Sequence, residues 1–179
     1  GYRRDPFDTF DEFMDLSESI NTISSFYFKP TIFGEFDATY SITDKRVINI
    51  IKHIHTRGHE IGIHPSKNTF HNEKQFSVET ERIRNIGVPI SGGRQHFLLY
   101  DIPETFNYWE NNGFGYDSGM GFYERIGFRC GVCYPFRVFD FKRRVQLNLI
   151  QKPLCVMDAA LTRWKISPEE MLVKMKEVK

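Results

Sequence analysis

The stretch Gly58-His59-Glu60-Ile61-Gly62-Ile63-His64-Pro65-Ser66 decides how this chain is read. Before it, Val47, Ile48, Ile51 and Ile54 share one helical face, with Thr43 or Asp44 as a cap and Gly58 as a stop. Glu60 to Ile63 then reads as a short apolar strand closed by His64 and Pro65. Helix, turn and strand in this order make the repeating unit of a parallel α/β fold. A histidine at the end of such a strand, fixed by a following proline, sits where a metal or a proton carrier can be held.

Working outward, helix and strand alternate. Asp8 to Ser19 carries Phe10, Phe13, Met14 and Leu16 at helical spacing, and Ile23 to Phe28 reads as a strand closed by Lys29-Pro30. Gly34 to Ser41 reads as a loop. Glu73 to Asn85 is helical, stopped by Gly87 and Pro89. Ile90 to His96 is short and strand-like, with Gly92-Gly93 allowing a close backbone approach. Pro103 to Asn112 is a helix with Pro at its start and Gly113 at its end. Gly115 to Ser118 ends a strand, and a Gly- and aromatic-rich loop runs to about Phe136. Val145 to Ile150 and Leu154 to Met157 read as strands, and Ser167-Pro168-Glu169-Glu170 opens a last helix. The expectation is one α/β domain built on a parallel sheet or barrel.

The 179 residues suffice for a real core. A formal net charge of +1 gives no electrostatic case for nucleic acid or an anionic membrane surface. No stretch resembles a transmembrane helix or signal peptide. Cys130, Cys133 and Cys155 make no secreted disulfide pattern and favour a reducing, cytoplasmic compartment. The start at Gly1-Tyr2-Arg3-Arg4 reads as a cut edge of something longer. The 17 phenylalanines fit a core, and aromatics also line carbohydrate grooves.

Six stretches taken in order carry a resemblance. They are Asp5-Pro6-Phe7-Asp8-Thr9-Phe10 with Met14 to Glu18; Ser25 to Phe28; Gly58 to Ser66; Gly92-Gly93-Arg94-Gln95-His96; Tyr116-Asp117-Ser118; and Gly127-Phe128-Arg129-Cys130-Gly131. Together they resemble polysaccharide deacetylase-like proteins of the NodB-homology class (carbohydrate esterase family 4), in a branch found among bacterial surface-polysaccharide genes. The resemblance implies an irregular (β/α) barrel, incomplete in this chain. It also implies hydrolysis of N- or O-acetyl groups on a sugar or polysaccharide, dependent on a divalent metal such as zinc.

By that resemblance His64 is a metal ligand, with a hydrogen-bonded structural histidine as the other reading. Many relatives place a second histidine four residues on; here Asn68 stands there, either a weaker ligand or a turn cap. Arg94 matches the arginine that holds a catalytic aspartate, or else forms a structural ion pair. Asp117 is a supporting site residue or a loop cap. His96 is expected to line the pocket, with Tyr123 and Arg129 from the aromatic loop and Asp158 at a strand end as further substrate contacts. His59 reads as structural. A zinc or thiol site on Cys130 and Cys133 lacks a fourth ligand at normal spacing. The His-Asp-x-Asp motif and late acid histidine of relatives are not found. That leaves a piece of a competent deacetylase or a non-catalytic glycan-binding relative.

Overall fold

The computed structural model describes residues 5, 7–31, 36–163 and 165–177. The expectations placed on Gly1 to Arg4, Pro6 and the Gly34 start of a loop lie outside the described residues.

Helix α1 (Phe10–Ser19) precedes strand β1 (Ser25–Phe28). Its buried stripe is Met14 and Ser17, with Phe10 packed against the core. Phe13 and Leu16, expected on the same stripe, are instead exposed. Helix α2 (Lys45–Thr56) starts at Asp44, whose carboxylate accepts from the Arg46 amide. Ile51 and Ile54, one turn apart, are fully buried. Each such side chain contributes about 1.5–3 kcal/mol on burial. The helix stops at Gly58, which takes φ +87°. The His59 amide donates to the Ile54 carbonyl and the Gly58 amide to that of His55, a left-handed stop that glycine enters without strain.

Strand β2 (Glu60–Ile63) follows and pairs in parallel with β1, Ser25 opposite Glu60 and Phe28 opposite Ile63. Helix α3 (Glu73–Arg84) leads to β3 (Gly92–Gly93), and α4 (Glu104–Asn111) to β4 (Tyr116–Asp117). Strands β5 (Phe136–Asp140) and β6 (Val145–Gln151) form an antiparallel hairpin. Short helices α5 (Asp158–Arg163) and α6 (Pro168–Lys176) come last. Ser167 caps α6 reciprocally with Glu170, as its sequence predicts.

The six strands make one mostly parallel sheet in the order β1-β2-β3-β4-β6-β5. Helix α2 packs on β2, α4 on β6, and α3 on α4. Phe76, Ile83, Trp109, Leu147 and Leu149 fill the space between helices and sheet. The sheet is open, with β1 and β5 at its edges, so a closed barrel is not formed by the described residues. None of the described helices is long and apolar enough to cross a membrane.

Three segments depart from the sequence reading. The strand expected over Ile90 to His96 is only Gly92–Gly93, because the Gln95 amide turns aside to the buried Asp117 carboxylate. Leu154 to Met157 is not a strand. Pro153 offers no N–H there, and the Leu154 amide reaches across to the Met120 carbonyl. Asp158 therefore begins a helix rather than ending a strand. Strand β5, where the sequence pattern assigns no element beyond Phe136, is held by Asp140. Its buried carboxylate accepts from the Lys142 and Arg143 amides and from the Asn107 side chain.

Candidate functional site

Parallel strands bring their carboxyl ends to one edge, and the residues just past those ends share a surface. Here the ladder continues one step beyond each strand. The His64 amide donates to Phe28, Arg94 to Ile63, Ser118 to Gly93 and Lys152 to Asp117. Lys29, His64, Arg94 and Ser118 thus stand along a single rim.

His64 is oriented by its own backbone surroundings. Its Nδ1 lies 2.7 Å from the Arg94 carbonyl oxygen. A carbonyl only accepts, so Nδ1 carries the proton and Nε2 keeps its lone pair. Burial, then the neighbouring His96 ring, pushes the imidazole down to about 3. The two rings are 4.8 Å apart. His96 is pushed down to about 4, by burial first and then by Lys29 and Lys67. Both imidazoles are therefore neutral at pH 7.

Lys29 Nζ sits 3.2 Å from His96 Nε2. An ammonium only donates, so the His96 proton is on Nδ1. That Nδ1 faces Asp37 Oδ1 at 3.9 Å, and neither atom has a hydrogen-bond partner among the described residues. Burial raises the Asp37 carboxyl and lowers the Lys29 ammonium. Lys29 and Asp37 belong to the site although the sequence reading did not single them out. Lys29 follows β1 directly, a strand-end position that was a usable signal; Asp37, in an irregular loop, offered none.

Asp117 is wholly enclosed. It accepts from the Tyr100 hydroxyl at 2.6 Å and the Gly119 amide at 3.1 Å through Oδ2, and from the Gln95 amide at 3.2 Å through Oδ1. Burial nonetheless outweighs these bonds and raises it to about 6. Asp117 thus braces the ends of β3 and β4 from behind. Arg94 does not grip it: Arg94 Nε donates to the Ser118 carbonyl and hydroxyl, and among the described residues no carboxylate lies within ion-pair distance of its guanidinium.

Gln95, also fully buried, donates to Thr69 and accepts from Trp109. Beyond this frame Phe97 and Leu98 both take φ +54°. Left-handed backbone at bulky residues costs roughly 1–2 kcal/mol each. The outcome is a half-exposed Phe97 ring stacked on His96 at 4.4 Å.

His64, Arg94, His96, Phe97, Lys67 and Tyr123 line a cavity of about 630 Å³. A second, of about 540 Å³, shares the Phe97, Leu98, Leu99 and Tyr123 wall and reaches Phe122, Arg125 and Arg129. The structure thus brings together His64, Arg94, His96 and Tyr123, with Arg129 next door. Asn68 lies exposed on a 3-10 turn (Lys67–His71) and is not on the cavity wall. Asp158 is exposed, and its neighbours Met157 and Ala159, not Asp158 itself, line the cavity. His59 is buried, accepting from the Ser24 amide and reaching Glu18, which holds β2 against α1.

As a metal ligand His64 has the right electronic form, neutral with its second nitrogen pinned. Yet no group of three or more His, Cys, Asp or Glu side chains suited to a metal exists among the described residues. Lys29, Lys67 and Arg94 also surround the imidazoles with positive charge. The described residues do not by themselves fit a dication. The three cysteines are free, and burial raises the Cys130 thiol, which opposes a reactive thiolate.

No family model and no curated protein matches the chain. Among solved structures, the chain is similar to a protein from Mycobacterium smegmatis described as a "putative polysaccharide deacetylase". The TM-score is 0.57 with 17% sequence identity, over 82% of this chain. The chain spans about 45% of the length of that protein. The likeness is one of fold: a mixed α/β sheet, mostly parallel, of the kind seen in that structure.

Proposed function

We propose that this chain forms the strand-end face of a carbohydrate deacetylase of the NodB-homology class, acting on N- or O-acetylated sugars of a polysaccharide. In this reading the open sheet is part of an irregular (β/α) barrel. The observation that carries it is His64, locked through Nδ1 by the Arg94 carbonyl and without an Nε2 partner among the described residues, at the mouth of a cavity formed by the carboxyl ends of parallel strands. The fold likeness to a structure described as a deacetylase supports it.

Hydrolysis of an acetyl group passes through a tetrahedral oxyanion, which fixed cations and N–H donors stabilise. Arg94 and Lys67 supply positive charge at the cavity, and neutral His64 presents its Nε2 lone pair there. Tyr123 and Phe97 offer faces for a sugar ring. Metal dependence would rest on donors added to His64 from outside the described residues.

A second reading, a glycan-binding relative without hydrolysis, is favoured by one observation: among the described residues, no carboxylate lines the His64 cavity to act as a base. Acetate release decides between them. The protein carrying this chain, given acetylated polysaccharide, should release acetate, and His64→Ala should abolish the release. Glycan binding without acetate would establish the second reading.

A further inference from the structure

The chain as a whole is nearly neutral, with 24 Lys and Arg against 23 Asp and Glu. The two cavities are not. Lys67 and Arg94 line the first, and Arg125 and Arg129 the second. Among the described residues none of these four has a carboxylate within ion-pair distance. Among the described residues Glu124 is the one carboxylate on either wall, and it is engaged by the Tyr123 hydroxyl at 2.5 Å and by Arg163 at 3.7 Å. Lys29, behind His96, has the Asp37 carboxyl as its electrostatic partner and stands apart from these four.

Cations that lack acidic partners cost stability through mutual repulsion, and they focus a positive field in a cleft with low-dielectric walls. The walls here are aromatic. Lys67 sits over Phe36 at 4.9 Å, and Arg125 over Phe122 at 3.9 Å. Phe97, held out by its left-handed backbone, stands on the wall between the two compartments. Each compartment has the volume of a small-molecule site. A neutral sugar would use the aromatic faces and leave the positive charge unanswered. An oxyanion on the sugar would answer it, since a guanidinium fork binds such a group with two parallel hydrogen bonds.

We propose that the paired cavities bind an acidic glycan, with sugar rings against Phe97 and Tyr123 and oxyanions, carboxylates of uronate sugars, on Arg94 and Lys67 at one end and Arg125 and Arg129 at the other. The proposal deepens the deacetylase reading and rests on the groove being a glycan site.

Calorimetric titration of the protein with three oligosaccharides of equal length tests it: a uronate, a sulfated and a neutral acetylated oligomer. The uronate should bind at least about tenfold more tightly than the neutral oligomer at low salt, the scale of one charge-assisted hydrogen bond. That advantage should shrink severalfold on raising salt from about 20 to 300 mM, because Lys67, Arg125 and Arg129 are exposed and screened. Lys67→Ala and Arg129→Ala, both surface changes, should each lose about tenfold for the uronate and little for the neutral oligomer. A sulfated oligomer outbinding the uronate upholds the oxyanion groove and changes its source. Equal affinity for neutral and acidic oligomers overturns the inference and leaves the deacetylase reading standing. Binding of none of the three overturns both.

Discussion

His64→Asn removes a titrating ring and keeps its hydrogen bond, because the asparagine side-chain N–H can still donate to the Arg94 carbonyl. In the folded chain the imidazole is held at about 3, against an ordinary 6.5. A depressed value means the folded state resists protonation. The stabilisation is complete above pH 6.5 and drains away as the pH falls toward 3. The loss is about 1.4 kcal/mol for each pH unit below 6.5, and so about 2 kcal/mol at pH 5. Urea unfolding of both proteins at pH 7 and pH 5 reads this directly, since the midpoint multiplied by the slope gives stability. The stability difference between wild type and His64→Asn should shift by about 2 kcal/mol against wild type on going to pH 5. Two curves that move in parallel would show that His64 takes up its proton freely in the fold. The buried, lone-pair-out geometry would then be wrong.

Asp117→Asn should show the opposite sign. Asp117 is raised to about 6 from 3.8, so its favourable contribution is present below 3.8 and lost as the pH rises through 6. Wild type should therefore gain about 1.4 kcal/mol relative to Asp117→Asn between pH 7 and pH 5, measured in the same urea series. Gly93→Ala should destabilise by about 3 kcal/mol or more, because its new methyl would press into the Ile63 backbone, which cannot yield as a side chain can. Thermal unfolding of that variant with an unchanged midpoint would contradict the tight β2–β3 approach.

The β2 unit was readable because every local signal agreed. Asp44 caps, Ile51 and Ile54 repeat at helical spacing, Gly58 stops the helix, and Glu60 to Ile63 is short and apolar. The end of β3 was not, because a buried carboxylate 22 residues away competes for the Gln95 amide, and no window of sequence contains both. Much the same holds for β5, where Asp140 makes the turn while exposed Phe139 and Phe141 blur the alternation. At the site, His64 stands out by its strand-end position, Arg94 by the resemblance, and His96 by lying two residues beyond Arg94. Their partners changed on folding. Arg94 serves His64 through its carbonyl and Ser118 through its side chain, whereas Asp117 answers to Tyr100. Which polar atom meets which is set by side-chain reach across three strands, and spacing along the chain does not encode that.

The central claim is that the strand-end cavity holding His64 and His96 receives an acetylated glycan. Heteronuclear NMR of the histidine side chains during titration with an acetylated oligosaccharide tests it most directly. The account predicts saturable shifts at the His64 and His96 rings, with His53 and His55 on helix α2 unmoved. Saturable binding that leaves both cavity imidazoles unshifted would contradict it.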